Sequence, residues 1–206
     1  IAVPLFTFAG YVLAESKSPQ RLISLAEALF GWMPGGIAMA GLATCALFTA
    51  FTGASGVTII ALGGLVYPML RKQGYPENYS LGLITTTGSL GLLFPTSLPI
   101  ILYALVGKVS VDRLFAASAV PGVLLLLILG AYSVVIAGKH GVSTVPFDFE
   151  KLKTAARAAA WEIPLPFVIV GGIYAGFFTA SEASAIMAFY VLVAEVFIYK
   201  DLRVRD

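Results

Sequence analysis

The chain has 206 residues, of which 59% are hydrophobic and only 12% are charged, and its formal net charge is +2. Ordinary soluble domains are about half apolar and about a quarter charged, so this composition excludes a water-soluble fold. No basic run is interleaved with aromatic residues, which leaves nucleic acid binding without support. Cys45 alone cannot form a disulfide framework or a cysteine metal site.

Four long segments without any charged residue predict an all-α membrane protein with several spanning helices. They cover residues 28–70, 78–107, 114–138 and 163–181. A helix needs about 20 apolar residues to cross the hydrocarbon of a bilayer, and runs of this length meet that requirement.

Residues 1–34 are predicted to hold the end of one spanning helix, over residues 1–14, and an interfacial helix. Between Glu15 and Trp32, apolar residues recur at helical spacing and charged residues fall among them. An amphipathic helix of this kind lies along the membrane surface. The chain opens on Ile1 in mid-pattern, without the basic segment of a signal peptide, so we expect it to be cut from a longer protein.

Residues 35–107 are predicted to form a helical hairpin followed by a broken helix. The apolar stretch 35–70 is long for one helix and has a centre of small residues, Thr52-Gly53-Ala54-Ser55-Gly56, at which two arms can join. The stretch 78–107 is interrupted by Phe94-Pro95-Thr96-Ser97-Leu98-Pro99. Each proline removes a backbone donor and disfavours helix at the preceding residue, so this span should break there.

Residues 108–206 are predicted to hold further spans, the first over residues 114–138. A polar stretch follows and ends in KLKTAARAAAW, which predicts a short interfacial arm helix near residues 150–161. Two closing spans, at roughly residues 163–178 and 183–199, begin what would be a second repeat.

Two acidic residues lie near the two ends of the last of these spans, and we assign both to structural roles. Thr179 or Ser181 should cap the helix that carries Glu182. Glu195 lies within two turns of Lys200, so we expect it to snorkel or to pair at the interface.

The distribution of lysine and arginine supports the hairpin. If residues 35–70 enter and leave on one face, nearly all basic residues collect on that face, and only Lys108 and Arg113 lie opposite. Because cytoplasmic loops are enriched in lysine and arginine, the open end of the hairpin is predicted to be cytoplasmic. A re-entrant hairpin and two full spans give the same distribution, so both remain open.

Irregular backbone at membrane depth is tolerated only where it is buried in protein or lines a cavity. The hairpin tip and the break are both of this kind and are rich in hydroxyl groups. Carbonyl and hydroxyl oxygens suit an alkali cation, and the N-termini of half-helices suit an anion, so we predict a sodium and anion site. The alternative is that small and hydroxyl residues only let helices pack closely. The candidate site residues are Thr52, Gly53, Ala54, Ser55, Gly56, Thr87, Gly91, Pro95, Thr96 and Ser97.

Two other classes of function fit the sequence less well. The tip sequence GASG matches the serine motif of intramembrane proteases, but a serine nucleophile needs a nearby base, and the single histidine, His140, lies in a polar loop. A passive membrane anchor would explain the hydrophobicity but not the two interrupted segments. We therefore predict that the protein is not an enzyme.

Five stretches of the sequence resemble the large membrane subunit of the tripartite ATP-independent periplasmic (TRAP) transporters. They are AVPLFTFAGYVLAES, TGASGVT, VYPMLRKQGY, GLLFPTSLPIILYALVGKVSVDRLFAASAVPG and GGIYAGFFTASEASAIMAFYVLV. The resemblance implies a bacterial inner-membrane protein that works with a small membrane (Q) subunit and a periplasmic substrate-binding protein. It implies sodium-driven uptake of organic anions, and two inverted repeats that move as an elevator. By this resemblance the chain holds the first repeat and the start of the second.

Carried over by position, the resemblance places one sodium site between the tip and the break, with Ser55 and Thr96 as the foremost ligands. The sequence departs from the family pattern at Ala54, where a serine is frequent, and at Thr96 and Ala180, where proline is common. A divalent-anion symporter of similar architecture, which needs no binding protein, is the alternative within transport.

Overall fold

The structure is a computed structural model that describes residues 2–53 and 55–202, without the side chain of Phe51. Across these residues the chain is helical and contains no strand, as predicted. The helices are α1 (Ala2–Glu15), α2 (Ser18–Phe30), α3 (Gly36–Thr52), α4 (Ser55–Lys72), α5 (Glu77–Leu90), α6 (Leu98–Gly107), α7 (Val111–His140), α8 (Phe149–Ala158), α9 (Pro164–Tyr174) and α10 (Ala180–Leu192). A 3-10 turn, Gly91–Leu93, follows α5, and a π-helical turn, Val193–Ile198, follows α10.

Three helical segments of the described chain are long and apolar enough to cross a membrane. They are Glu77–Gly107, Val111–His140 and Ala180–Ile198. The first of them contains the predicted break. The second, α7, has 30 residues and measures about 45 Å along its axis at about 1.5 Å per residue, more than the hydrocarbon thickness.

The helices α3 and α4 form an antiparallel hairpin. Near its tip the hydroxyl of Thr49 donates to that of Thr58 at 2.8 Å. Further from the tip, a Cβ atom at Gly41 would lie 2.8 Å from Val66 Cγ1. At the tip, Gly53 adopts φ +64° and its N–H donates to the carbonyl of Thr49, which ends α3. The two arms predicted from the sequence are therefore present, and the depth of the tip in the membrane stays a prediction.

The helix predicted to break does so between α5 and α6. The 3-10 turn ends at Phe94, which is extended, Thr96 adopts φ 73°, and extended Ser97 precedes α6. Pro99 stands in the first turn of α6, where a missing backbone donor is tolerated. The break therefore consists of four non-helical residues between two helical ends.

The first helix packs between the hairpin and the last span, since α1 contacts α3 and α4 on one side and α10 on the other. Phe6 of α1, Phe48 of α3, Leu62 of α4 and Met187 of α10 are all fully buried in one apolar core. The helix α1 also approaches the end of α3 closely, since a Cβ atom at Gly10 would lie 2.4 Å from Thr52 Cα. The absence of a side chain at Gly10 permits this approach.

The start of α10 is capped as predicted. The Thr179 hydroxyl accepts from the N–H of Glu182, and the Glu182 carboxylate accepts from the N–H of Thr179, which makes a reciprocal capping box. Glu182 therefore has a structural role at this helix end.

Candidate functional site

The hairpin tip and the break lie against each other. A Cβ atom at Gly53 would lie 2.6 Å from Leu98 Cγ, and one at Gly91 would lie 2.2 Å from Thr49 Cβ. One at Gly88 would lie 3.3 Å from the Ser55 carbonyl oxygen. Three glycines thus let the two segments approach at backbone distance.

Four helix ends converge where these segments meet. The C-terminus of α3 and the N-terminus of α4 meet at the tip, and the 3-10 turn and the N-terminus of α6 meet at the break. The position of a Cβ atom at Gly53 lies 3.1 Å from the Leu98 nitrogen, which places the start of α6 beside the tip. Helix C-termini present carbonyl groups to a cation and helix N-termini present N–H groups to an anion. The same small region therefore offers ligands for both charges.

Two hydroxyl residues of the break are buried but differ in their bonding. The Thr96 hydroxyl donates to the Ala50 carbonyl in α3. The Ser97 hydroxyl is fully buried and has no hydrogen-bond partner in the described part of the chain. Burying a hydroxyl without a hydrogen-bond partner costs free energy. A bound cation coordinated by the Ser97 oxygen would offset this cost.

Thr96 is also strained. Its φ of 73° lies in the left-handed region, which a β-branched residue rarely adopts. Backbone strain of this kind costs about 1–3 kcal/mol and is concentrated at binding and active sites. The bond from its side chain to Ala50 holds the break in this shape against α3.

A cluster of three buried threonines lies beneath the tip. The Thr58 hydroxyl is 2.8 Å from that of Thr49 and 3.3 Å from that of Thr52. Thr52 was predicted as a site residue, but Thr49 and the carbonyl of Ala50 were not. Both lie in the regular part of α3, and only their contacts with the break identify them.

The remaining predicted residues differ in their burial and in their hydrogen bonds. Thr87 is buried but its hydroxyl donates to the Leu83 carbonyl of its own helix at 2.7 Å, which is a packing arrangement. Ser55 is half-buried at the start of α4, and Gly56 is exposed with open space around it. Pro95 is buried in the break. Ala54 lies outside the described residues.

An apolar cavity of about 560 Å³ borders the break. Its walls include Ala50 of α3, Pro95 and Thr96 of the break, and Phe167 of α9. Its lining is largely apolar and offers few groups to replace the water that a polar solute would lose. Ser97 does not line this cavity, and its buried hydroxyl is the better candidate for binding.

A second polar cluster, away from the tip, was not foreseen from the sequence. Arg21 of α2 contacts Glu162 at 2.5 Å, Glu195 at 2.8 Å and Asp201 at 2.5 Å. Glu195 was expected to snorkel or to pair at the interface; it does pair, but it is buried and its partner is Arg21. The cluster ties α2 to the far end of α10.

Tyr199 completes this arginine cluster. The centroid of its ring lies 3.7 Å from the guanidinium carbon of Arg21, and its hydroxyl oxygen lies 2.6 Å from the Ala158 carbonyl oxygen and 2.9 Å from a Glu162 carboxylate oxygen, which share its one proton. Burial, together with the bond to Glu162, raises the pKa of Tyr199 to about 12. The phenol therefore stays protonated as a donor at physiological pH. This is a structural clamp, and it contributes no group to the tip or the break.

Comparison with known proteins identifies similar chains. The family model described as "Tripartite ATP-independent periplasmic transporter, DctM component" matches residues 1–206. The C4-dicarboxylate TRAP transporter large permease protein DctM of Rhodobacter capsulatus is 38% identical over 221 residues, covering 100% of this chain and 50% of the relative. The ectoine TRAP transporter large permease protein TeaC of Halomonas elongata is 34% identical over 207 residues, covering 100% of this chain and 48% of the relative.

A third relative carries a different name. The isethionate TRAP transporter permease protein DctMQ of Oleidesulfovibrio alaskensis is 35% identical over 205 residues, covering 98% of this chain and 32% of the relative. The chain thus spans about half the length of the first two relatives and 32% of the third. All three are transporter permeases rather than enzymes, which confirms the prediction of a non-enzymatic membrane protein.

Proposed function

The chain belongs to the DctM family of TRAP transporters, a family of bacterial inner-membrane proteins, and from this we propose that the full protein is a sodium-coupled importer of organic anions. The substrate class is a carboxylate or a similar organic anion, in keeping with the C4-dicarboxylate and isethionate named for two relatives. Sodium moving inward down its gradient drives the uptake, and an elevator movement carries the site across the membrane.

The observation that supports this proposal most directly is the contact between tip and break. A cation needs converging oxygen atoms, and the region supplies the carbonyl ends of two helices and the buried hydroxyl of Ser97, which lacks a partner in the described chain. Thr96 holds the break in a strained shape that a simple packing role does not require. We assign one sodium to this place, with Ser97 added to the predicted ligands Ser55 and Thr96.

The N-termini of α4 and α6 support the anion half of the proposal. Both helices begin at the junction of tip and break, and the first N–H groups of a helix have no partner within it. A carboxylate or sulfonate bound there would also be attracted by the neighbouring sodium. The second half of the full protein would supply the remaining groups of the substrate cavity.

The proposal includes two partners, a small membrane (Q) subunit and a periplasmic substrate-binding protein that delivers the anion. The test is uptake of a labelled C4-dicarboxylate or isethionate into proteoliposomes that contain the full-length permease with its small subunit. We expect uptake only with an inward sodium gradient and with the soluble binding protein added outside. Uptake without the binding protein would favour the divalent-anion symporter alternative, and uptake without sodium would refute the coupling.

Matched variants test the site itself in the same vesicles. Ser97→Ala removes the unpartnered hydroxyl, and Ser89→Ala removes an exposed hydroxyl that bonds only to Thr85 in its own helix. Losing one oxygen ligand of a cation should raise the half-saturating sodium concentration about tenfold or more. Ser89→Ala should match wild type. Equal sodium dependence in both variants would show that Ser97 is a packing group.

A further inference from the structure

One face of the protein combines exposed aromatic residues with basic side chains, and we call it the arm surface. It consists of residues 141–148, α8 and Trp161, together with Trp32 at the end of α2. Trp32 is 51% exposed, Phe147 54%, Phe149 66% and Trp161 44%. Both tryptophans of the chain lie here. Exposed aromatic residues at this density need a partner that is neither water nor the described protein.

The arm surface is fixed in place against α2. The N–H of Val145 donates to the Gly31 carbonyl at 3.0 Å, and α8 packs beside α2 along a groove that Ser24 and Glu27 help to line. The α8 helix begins with a firm cap, because the Asp148 carboxylate accepts from the N–H groups of Glu150 and Lys151. These contacts hold the surface against α2, although none of the residues of α8 is buried by the rest of the described chain.

Basic side chains outnumber acidic ones on this surface, three to two. Its exposed basic side chains are Lys151, Lys153 and Arg157, and exposed Lys139 stands just before it at the end of α7. Its two acidic side chains, Asp148 and Glu150, stand at the first turn of α8, where carboxylates interact with the helix N-terminus. The lysines and the arginine are left without a salt bridge in the described chain. They are available to an anionic partner.

The location of the surface indicates what that partner is. It begins where the long spanning helix α7 ends at His140, and it ends where the apolar helix α9 begins at Pro164. The surface therefore lies beside two apolar helices, at the edge of the membrane. Tryptophan is enriched at the level of lipid headgroups, and clustered basic residues beside spanning helices attract anionic lipids.

We propose that the arm surface is a binding site for anionic phospholipid, with Lys153 and Arg157, one turn apart on α8, on the headgroup phosphate and Trp161 and Phe149 among the acyl chains. Lys151, on the side of α8 that lines the groove against α2, adds positive charge nearby. The proposal does not depend on sodium coupling or on the transported solute. Because α8 packs on α2 and α2 leads directly into the hairpin, bound lipid would also hold the entry to the hairpin in place.

The test uses native mass spectrometry of the purified full-length protein with added phosphatidylglycerol or phosphatidylcholine. The test variant is the triple substitution Lys151→Gln, Lys153→Gln and Arg157→Gln. The control variant is Lys108→Gln with Arg113→Gln, which removes exposed positive charge at the other end of α7, near its N-terminus. A third variant exchanges lysine and arginine at the three arm positions and so keeps their charge.

We expect wild type to bind phosphatidylglycerol several-fold more tightly than phosphatidylcholine. Each arm charge removed should weaken this preference by up to about fivefold, so the triple glutamine variant should lose it. The control and the charge-keeping variant should retain it, which separates loss of charge from loss of fold. The proposal is overturned if wild type shows no preference, or if the triple glutamine variant keeps the wild-type preference.

Discussion

Substituting Gly53 by alanine tests whether tip and break are held together as described. Gly53 has φ +64°, and an alanine there costs about 1–2 kcal/mol from its backbone alone. Its Cβ atom would also lie 2.6 Å from Leu98 Cγ, well inside van der Waals contact. Relieving an overlap of this size in a packed core costs about 1–3 kcal/mol. The two terms together predict that the free energy of unfolding falls by about 2–5 kcal/mol.

The control is Gly64→Ala in the middle of α4. A Cβ atom at Gly64 meets nothing within 4 Å, so the substitution should be neutral or should stabilise the helix by about 0.5–1 kcal/mol. Unfolding of the full-length protein by sodium dodecyl sulfate in mixed micelles measures both free energies. A Gly53→Ala variant as stable as Gly64→Ala would refute the described packing of tip and break.

A double variant separates the two contributions at Gly53. Adding Leu98→Ala removes the side chain that the new Cβ atom would meet, but leaves the backbone in the left-handed region. The free energy of unfolding of the double variant should therefore fall by less than the sum of the two single decreases. The difference should be about 1–3 kcal/mol. Strict additivity would mean that the side chain of Leu98 does not contact the tip.

Two further predictions concern the charged residues outside the site. Arg21→Met should cost about 3–5 kcal/mol in the same unfolding assay, because it leaves Glu162 and Glu195 buried without a counter-ion; a loss below 1 kcal/mol would contradict the buried cluster. Glu182→Ala should lower stability in the same assay, because it removes the carboxylate that accepts from the N–H of Thr179 in the capping box. A Glu182→Ala variant as stable as wild type would contradict the capping box.

The hairpin and the broken helix could be predicted from the sequence because local chemistry dictates both. Gly53 supplies a positive φ that ends α3, and Pro95 and Pro99 remove backbone donors where α5 would otherwise continue into α6. The cap at Thr179 follows from the same kind of local rule. Each of these features needs only neighbouring residues to form.

The contacts of the site could not be predicted in the same way. Thr49 and Ala50 lie in an unbroken helical pattern, and only the packing of α3 on the break brings them to Gly91 and Thr96. The partner of Glu195 was missed for a related reason, since Arg21 lies 174 residues away in the chain. Sequence spacing identifies partners within a helix turn or two, but it carries no information on which distant helices meet.

The most direct test of the central claim is sodium binding by the full-length protein, measured as thermal stabilisation in sodium against potassium at equal ionic strength. A ligand that binds only the folded state raises stability with its concentration. We predict that sodium stabilises wild type and Ser89→Ala equally, and that Ser97→Ala needs about tenfold more sodium for the same effect. Equal stabilisation by sodium and potassium, or a Ser97→Ala variant with the sodium response of wild type, would contradict a sodium site between tip and break.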